Sequence, residues 1–235
     1  MNNQPLTKIN HADSYLRLHS IFYTIQGEGP FAGCPALFVR LQGCNLRCHW
    51  CDTEYSVMKD EYTAEHLHDI VMEEIKKNFR NASLSLVVLT GGEPLAQNVA
   101  PFIKMLLDNG VTVQVETNGT TCPPDLPWDR HGLHVVVSPK TGTVDKEFNR
   151  HKVCWKYVLK AGHTNGTDGL PTVSTQVANK IMAIARPPGN TLLENVYVSP
   201  CDDETFEENM AEVVRVALKY GYKVSLQTHK ILGVE

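Results

Sequence analysis

Three cysteines, Cys44-x3-Cys48-x2-Cys51, stand within eight residues and form the densest group of reactive side chains in the chain. Thiolates this close in sequence can wrap one compact inorganic centre. Three of them on a [4Fe–4S] cubane leave one iron open to a small molecule, whereas a plain electron carrier ordinarily uses four. A structural zinc site also closes with four ligands. Here the fourth would be His49, strained between two cysteines, or Cys34. The remaining cysteines, Cys122, Cys154 and Cys201 together with Cys34, lie far apart and read as small buried hydrophobes. Seven is an odd number, so a complete disulfide framework is ruled out.

Three further polar clusters carry chemistry. In Thr90-Gly91-Gly92-Glu93-Pro94 the glycines let a ligand approach the backbone, and the carboxylate can hold an ammonium group. Glu116-Thr117-Asn118-Gly119 and Ser138-Pro139-Lys140 each read alone as a polar turn. Around one mouth they would suit ribose hydroxyls and a carboxylate.

The elements that must position these groups follow from periodicity and punctuation. Strands are expected at residues 16–24, 36–41, 84–89, 111–115, 133–137, 155–159, 195–198 and 222–226. Helices are expected at 63–79, with Thr63 as N-cap, and at 99–108, 173–185 and 205–220. Alternating strands and helices predict an α/β fold with mainly parallel strands. The polar clusters fall after the C-terminal ends of strands, the edge where parallel α/β folds bind ligands. Residues 1–15 read as a loosely ordered leader and 16–235 as a single domain.

Composition narrows the function classes. The chain has 235 residues, 22 basic and 26 acidic, a formal charge of −4, 42% apolar and 20% charged side chains. That is enough for a real core and excludes global disorder. The mild acidity argues against nucleic acid as a partner. Apolar stretches of about five or six residues fall far short of the ~20 needed to span a bilayer, so no membrane partner is expected. The polar N-terminus has no secretory pattern, which places the chain in the reducing cytoplasm.

The cysteine spacing, with Trp50 just before the third cysteine and Gly-Gly-Glu on the next strand, resembles the radical S-adenosylmethionine (SAM) enzymes. That resemblance implies that the fourth iron is chelated by SAM. Reduction then cleaves SAM to methionine and a 5′-deoxyadenosyl radical, which takes a hydrogen atom from substrate. Further motifs narrow the resemblance from about residue 20 onward. They are Ile25-Gln26-Gly27-Glu28-Gly29-Pro30, Phe38-Val39-Arg40-Leu41-Gln42-Gly43-Cys44, Cys51-Asp52-Thr53 and Gln227-Thr228-His229-Lys230. With the three clusters above they resemble the 7-carboxy-7-deazaguanine synthase family.

What this implies is specific. The family contracts the ring of 6-carboxy-5,6,7,8-tetrahydropterin to 7-carboxy-7-deazaguanine with loss of ammonia, for queuosine and other 7-deazapurines. Its fold is a partial, modified (βα) barrel. It works as a homodimer with Mg²⁺ and an electron donor such as flavodoxin. Carried onto this sequence, Cys44, Cys48 and Cys51 would hold the [4Fe–4S] cluster and Thr53 the Mg²⁺. Trp50, Asp52, Gly92, Glu116, Ser138, Pro139 and Lys140 would surround SAM. Ile25, Gln26, Gly27, Glu28, Arg40, Thr90, Gln227, His229 and Glu235 would hold the pterin. Gln227 and His229 would share one face of an extended strand, with His229 as the candidate for proton transfer. The apolar tail behind them would pack over the mouth. Two other readings remain: another small radical SAM enzyme, such as a glycyl-radical activase, and a non-catalytic Fe–S or zinc binding module.

Overall fold

A computed structural model of the chain describes residues 2–80, 85–174 and 183–234. The sheet begins with β1 (Tyr15–Ile25), β2 (Pro35–Leu41) and β3 (Asp60–Thr63), followed by α1 (Ala64–Asn78), β4 (Leu86–Gly91) and α2 (Ala100–Asp108). It continues through β5 (Thr112–Thr117), β6 (Leu133–Val137), β7 (Cys154–Leu159) and β8 (Val196–Pro200). The chain closes with α3 (Phe206–Tyr220), β9 (Lys223–Val224) and α4 (Thr228–Leu232). Strand order among the described residues is β3-β1-β2-β4-β5-β6-β7-β8-β9. β1 pairs antiparallel with β2 and β3, and every later pairing is parallel. The result is the expected partial barrel, an open, mainly parallel sheet.

Alternation along the strands sets the two faces of this sheet. Leu37, Val39 and Leu41, Val87 and Leu89, Val113 and Val115, and Trp155 and Tyr157 point outward into one core. The helices cover that face with residues at helical spacing: Leu67, Val71 and Ile75 from α1, Phe102, Ile103 and Leu106 from α2, and Val213 and Val216 from α3. Thr63 caps α1 as expected, accepting from the His66 amide at 3.3 Å. The intervening residues, Arg40, Thr90, Gln114, Glu116 and Lys156, therefore fall on the concave face. Register keeps them level: Arg40 pairs with Thr90 and Val88 with Gln114.

The N-terminal end of the concave face is plugged. Ala36, Leu86 and Val88 form a small second core under Phe31, Cys34 and Phe38. The short 3₁₀ turn Gly29–Phe31 crosses beneath, with Phe31 edge-on to His134 at 4.8 Å and the Gly29 amide bonded to Ser225 Oγ at 2.9 Å.

The structure departs from the sequence reading at β3, at the C-terminus and in the leader. β3 was not anticipated. The last strand is only Lys223–Val224, and residues 228–232 form a short helix instead of extended chain. Gln227 and His229 consequently do not share a strand face. The tail side chains Ile231, Leu232 and Val234 face outward, 74%, 60% and 41% exposed, so they do not seal the mouth by packing. The expected helix at 173–185 lies largely outside the described residues. The leader, finally, is hydrogen-bonded to the body at several points: Thr7 N to Cys44 O at 2.8 Å, Asn10 N to Ala96 O at 2.8 Å and His11 Nε2 with Leu95 O at 2.8 Å.

Candidate active site

A cavity of about 380 Å³ opens at the C-terminal ends of the strands, and Cys44, Cys48 and Cys51 all line it. The cysteine loop leaves β2 through Gly43, whose positive φ of 90° suits glycine. Cys44 Sγ receives the Leu46 amide at 3.4 Å, and Cys51 Sγ lies 3.6 Å from Thr53 O. Burial pushes the Cys44 thiol up to about 12 and raises Cys51 as well. Such thiols ionise only against a strong local cation, which a metal centre provides. Among the described residues, no group of three or more His, Cys, Asp or Glu is arranged around a single metal ion. Three thiols on one cavity wall fit a [4Fe–4S] centre that keeps one iron open. His49 is exposed and does not line the cavity.

Gly91 and Gly92 pass directly beside this loop. A β-carbon at Gly92 would collide with Gly43 O and the Cys44 side chain, so the glycine is required by packing against the cysteine turn. Glu93 is fully buried and faces away from the cavity. Its two oxygens accept from Leu95 N at 3.0 Å, Thr117 Oγ at 2.7 Å and Asn118 N at 2.6 Å. It joins the turns after β4 and β5. Burial outweighs these bonds and raises its pKa to about 7.

Deeper in the cavity the polar residues form one network. Glu116 accepts from Gln26 Nε2 at 2.9 Å and Gln114 Nε2 at 3.0 Å on one oxygen, and from Thr90 Oγ at 3.2 Å on the other. Glu28 receives Lys156 Nζ, both side chains 13% exposed. Burial alone would lower the Lys156 ammonium, but Glu28 and Glu116 outweigh it and hold it above its ordinary range. The Arg40 guanidinium sits 5.0 Å over the Phe22 ring, and its buried Nε has no acceptor. Lys140 Nζ donates to Ser138 Oγ at 2.5 Å, and burial pushes the ammonium below its usual range.

α4 crosses the open side of the sheet. Thr228 bonds Gly27 O at 3.2 Å through its hydroxyl, and His229 packs on Gly27, which has no room for a side chain. Lys230 Nζ reaches Asp52 at 3.2 Å and Asp202 at 2.5 Å, and Gln227 Nε2 reaches Asp52 at 3.2 Å. Burial alone would raise Asp52, but these donors hold its carboxyl below the usual range.

Most sequence candidates thus meet in one place: Trp50, Asp52, Thr53, Gln26, Glu28, Arg40, Thr90, Glu116, Lys140, Gln227 and His229 line the cavity with the cysteines and Gly92. Ile25, Gly27, Ser138 and Pro139 stand outside the lining, Gly27 backing His229 and Ser138 holding Lys140. Glu235 lies outside the described residues. Sequence reasoning missed Gln114, Lys156, Asp202 and Lys230. For the first two a signal existed: Lys156 is a single charged residue in a strand otherwise apolar on both faces, and Gln114 falls on the polar side of the alternation Thr112-Val113-Gln114-Val115-Glu116.

A partial parallel barrel with three cysteines at its mouth defines a radical SAM enzyme, and the family described as the Radical SAM superfamily matches residues 38–175. Members carry a [4Fe–4S] cluster and SAM. Among curated proteins, the 7-carboxy-7-deazaguanine synthase of Rhodospirillum rubrum is 42% identical over 227 residues, covering 93% of this chain and 92% of that one. That of Rickettsia prowazekii is 35% identical, covering 94% and 89%, and that of Escherichia coli K12 is 29% identical, covering 92% and 98%. The chain belongs to the 7-carboxy-7-deazaguanine synthase family. The crystal structure of QueE from Escherichia coli has the same fold, with a TM-score of 0.62 at 21% identity over 92% of this chain and 95% of that one.

Proposed function

We infer that the chain catalyses the SAM-dependent radical ring contraction of 6-carboxy-5,6,7,8-tetrahydropterin to 7-carboxy-7-deazaguanine, releasing ammonia, in queuosine and 7-deazapurine biosynthesis. The observation that carries this reading is the meeting, in one cavity, of the cysteine triad with the Gln26–Thr90–Glu116 network.

Cys44, Cys48 and Cys51 hold the cluster, and the bound cluster with SAM supplies the hydrogen-abstracting chemistry. Lys140 offers a buried cation to the SAM carboxylate, while Trp50, Asp52 and Gly92 border the same space. Motif position groups Glu116 with SAM; its bonds to Gln26 and Thr90 support reading it as a pterin contact instead. A carboxylate with amide neighbours can accept from the N–H groups of a pterin edge. The Arg40 guanidinium, on the cavity lining, offers a fork to the substrate carboxylate. Lys156 and Glu28 add a charge pair below it. His229, held against Gly27, is placed to hydrogen-bond substrate or move a proton.

Thr53 presents its hydroxyl at the cavity edge beside Asp52, 3.4 Å away, an oxygen-rich position suited to Mg²⁺. The ion would orient the pterin and offset charge during rearrangement. We read the chain as a single domain working as a homodimer in the cytoplasm with an electron donor such as flavodoxin. Exposed Leu193 and Val224, beside β9 at the edge of the sheet among the described residues, support the dimer. No helix among the described residues is long and apolar enough to cross a membrane.

Anaerobically reconstituted protein, given SAM, a reductant, Mg²⁺ and the carboxytetrahydropterin, should form 7-carboxy-7-deazaguanine and ammonia in equal amounts. Cluster-loaded protein that cleaves SAM but forms no deazaguanine would overturn the substrate assignment.

A further inference from the structure

Residues 2–7 run beside the cysteine loop, and the side chains of Asn2 and Gln4 reach its backbone. Gln4 Nε2 donates to Thr53 O at 2.8 Å, and Gln4 Oε1 accepts from Tyr55 N at 2.7 Å. One side-chain amide thereby makes the paired donor and acceptor bonds that a neighbouring strand would make. Asn2 Nδ2 donates to Cys48 O at 3.1 Å and to Tyr55 Oη at 3.3 Å, and Asn2 Oδ1 accepts from Gln4 N at 2.9 Å, which fixes the two side chains relative to each other. Thr7 N donates to Cys44 O at 2.8 Å. Arg47, from the loop itself, returns a bond to Gln4 O at 3.0 Å.

The carbonyls satisfied in this way belong to Cys44, to Cys48 and to Thr53, two residues beyond Cys51. Residues 42–59 contain no helix or strand longer than an isolated bridge, so few of their backbone groups have partners within the loop. Tyr55, 1% exposed, anchors the far end, with its carbonyl accepting from Gly43 N at 2.8 Å.

We propose that residues 2–7 are a brace for the cluster loop and that Asn2 and Gln4 are positioning residues. They hold the peptides of Cys48, Thr53 and Tyr55 so that the three thiols and the Thr53 hydroxyl keep their places on the cavity wall. This rests on the reading of Cys44, Cys48 and Cys51 as cluster ligands. Unlike the residues of the cavity, neither Asn2 nor Gln4 lines it, so neither touches substrate or SAM.

The test uses the full chain, reconstituted anaerobically, with Gln4→Ala, Gln4→Glu and the Asn2→Ala/Gln4→Ala double variant. Gln4→Glu keeps the acceptor for Tyr55 N and removes the donor to Thr53 O. Four readouts are taken: iron and sulfide content, the EPR signal of the reduced cluster with and without SAM, cluster half-life in air, and hydrogen exchange at the Tyr55 amide. All variants should melt with the parent and assemble a cluster. Losing Gln4 should shorten the half-life in air about fivefold, the factor expected for roughly one net hydrogen bond. It should also shift the EPR signal and speed Tyr55 exchange. Gln4→Glu should share the first two effects while protecting Tyr55. If Tyr55 exchange rises but half-life and EPR signal match the parent, the segment is packing alone and the brace is overturned. If the parent chain takes up no iron while Tyr55 is protected, the cluster reading itself fails, and the brace falls with it for that separate reason.

Discussion

Gln26 donates its side-chain amide to Glu116, 90 residues away in the chain, at 2.9 Å. The turn after β1 and the end of β5 thus share one polar centre, which Thr90 completes from β4. Removing the carboxylate should therefore act on the pterin, not on SAM. Glu116→Ala is expected to raise the KM for the carboxytetrahydropterin by about 10- to 100-fold, the effect of losing hydrogen bonds to a charged group. SAM affinity measured by calorimetry should stay within about twofold. A matching loss of SAM affinity would return Glu116 to the SAM site.

Gly92 is pressed against Gly43 and Cys44. Motif position alone would suggest that Gly92→Val blocks SAM and spares the cluster. The packing predicts a different outcome: a side chain must displace the peptide that carries the first cysteine. Iron content after reconstitution should fall along with SAM binding. A variant with full iron content and no SAM binding would show that the loop can yield.

Arg40 lies over Phe22 with its buried Nε unpaired. Lysine would keep the charge and lose both the fork and the stacking plane. Arg40→Lys should raise the KM for the pterin about tenfold or more with little change in SAM cleavage. Unaltered kinetics would place the substrate carboxylate elsewhere.

Glu93 titrates at about 7 when folded, against 4.5 for the free group. Its protonated form is thus favoured by folding. The associated stability is fully present below about 4.5 and is lost as pH rises through about 7. Thermal midpoints should decline across that window. Glu93→Gln should flatten this decline. It should also lower stability by about 1–3 kcal/mol, because either placement of its NH₂ faces a backbone N–H donor. An unchanged slope in the variant would assign the pH dependence to another group.

Much of the site could be read in the sequence because its signals are local. Strands announce themselves by apolar runs, and Gly, Pro, Asn and Ser mark the turns where Gly92, Asn118 and Lys140 stand. Lys156 was harder, because its role depends on which face of β7 looks inward, and Trp155 and Tyr157 on either side decide that only once the helices are packed. α4 left no periodic signal, since five residues make little more than one turn. Asn2 and Gln4 look like ordinary solvated residues. Their partners on the loop, mostly backbone groups, lie far along the chain, and no composition pattern records such a bond.

The ionic part of the link between α4 and the rest of the barrel is one ammonium shared by two carboxylates, all near the surface: Lys230 with Asp52 and Asp202, side chains 41%, 52% and 48% exposed. Dissolved ions compete directly for contacts of this kind, and a Debye length of about 8 Å at physiological ionic strength weakens them further. The strength of this fastening is accordingly set by the surrounding electrolyte as much as by the protein. Added salt should loosen it and speed passage through that side of the barrel, while the cysteine loop, held by hydrogen bonds to backbone carbonyls, stays in place.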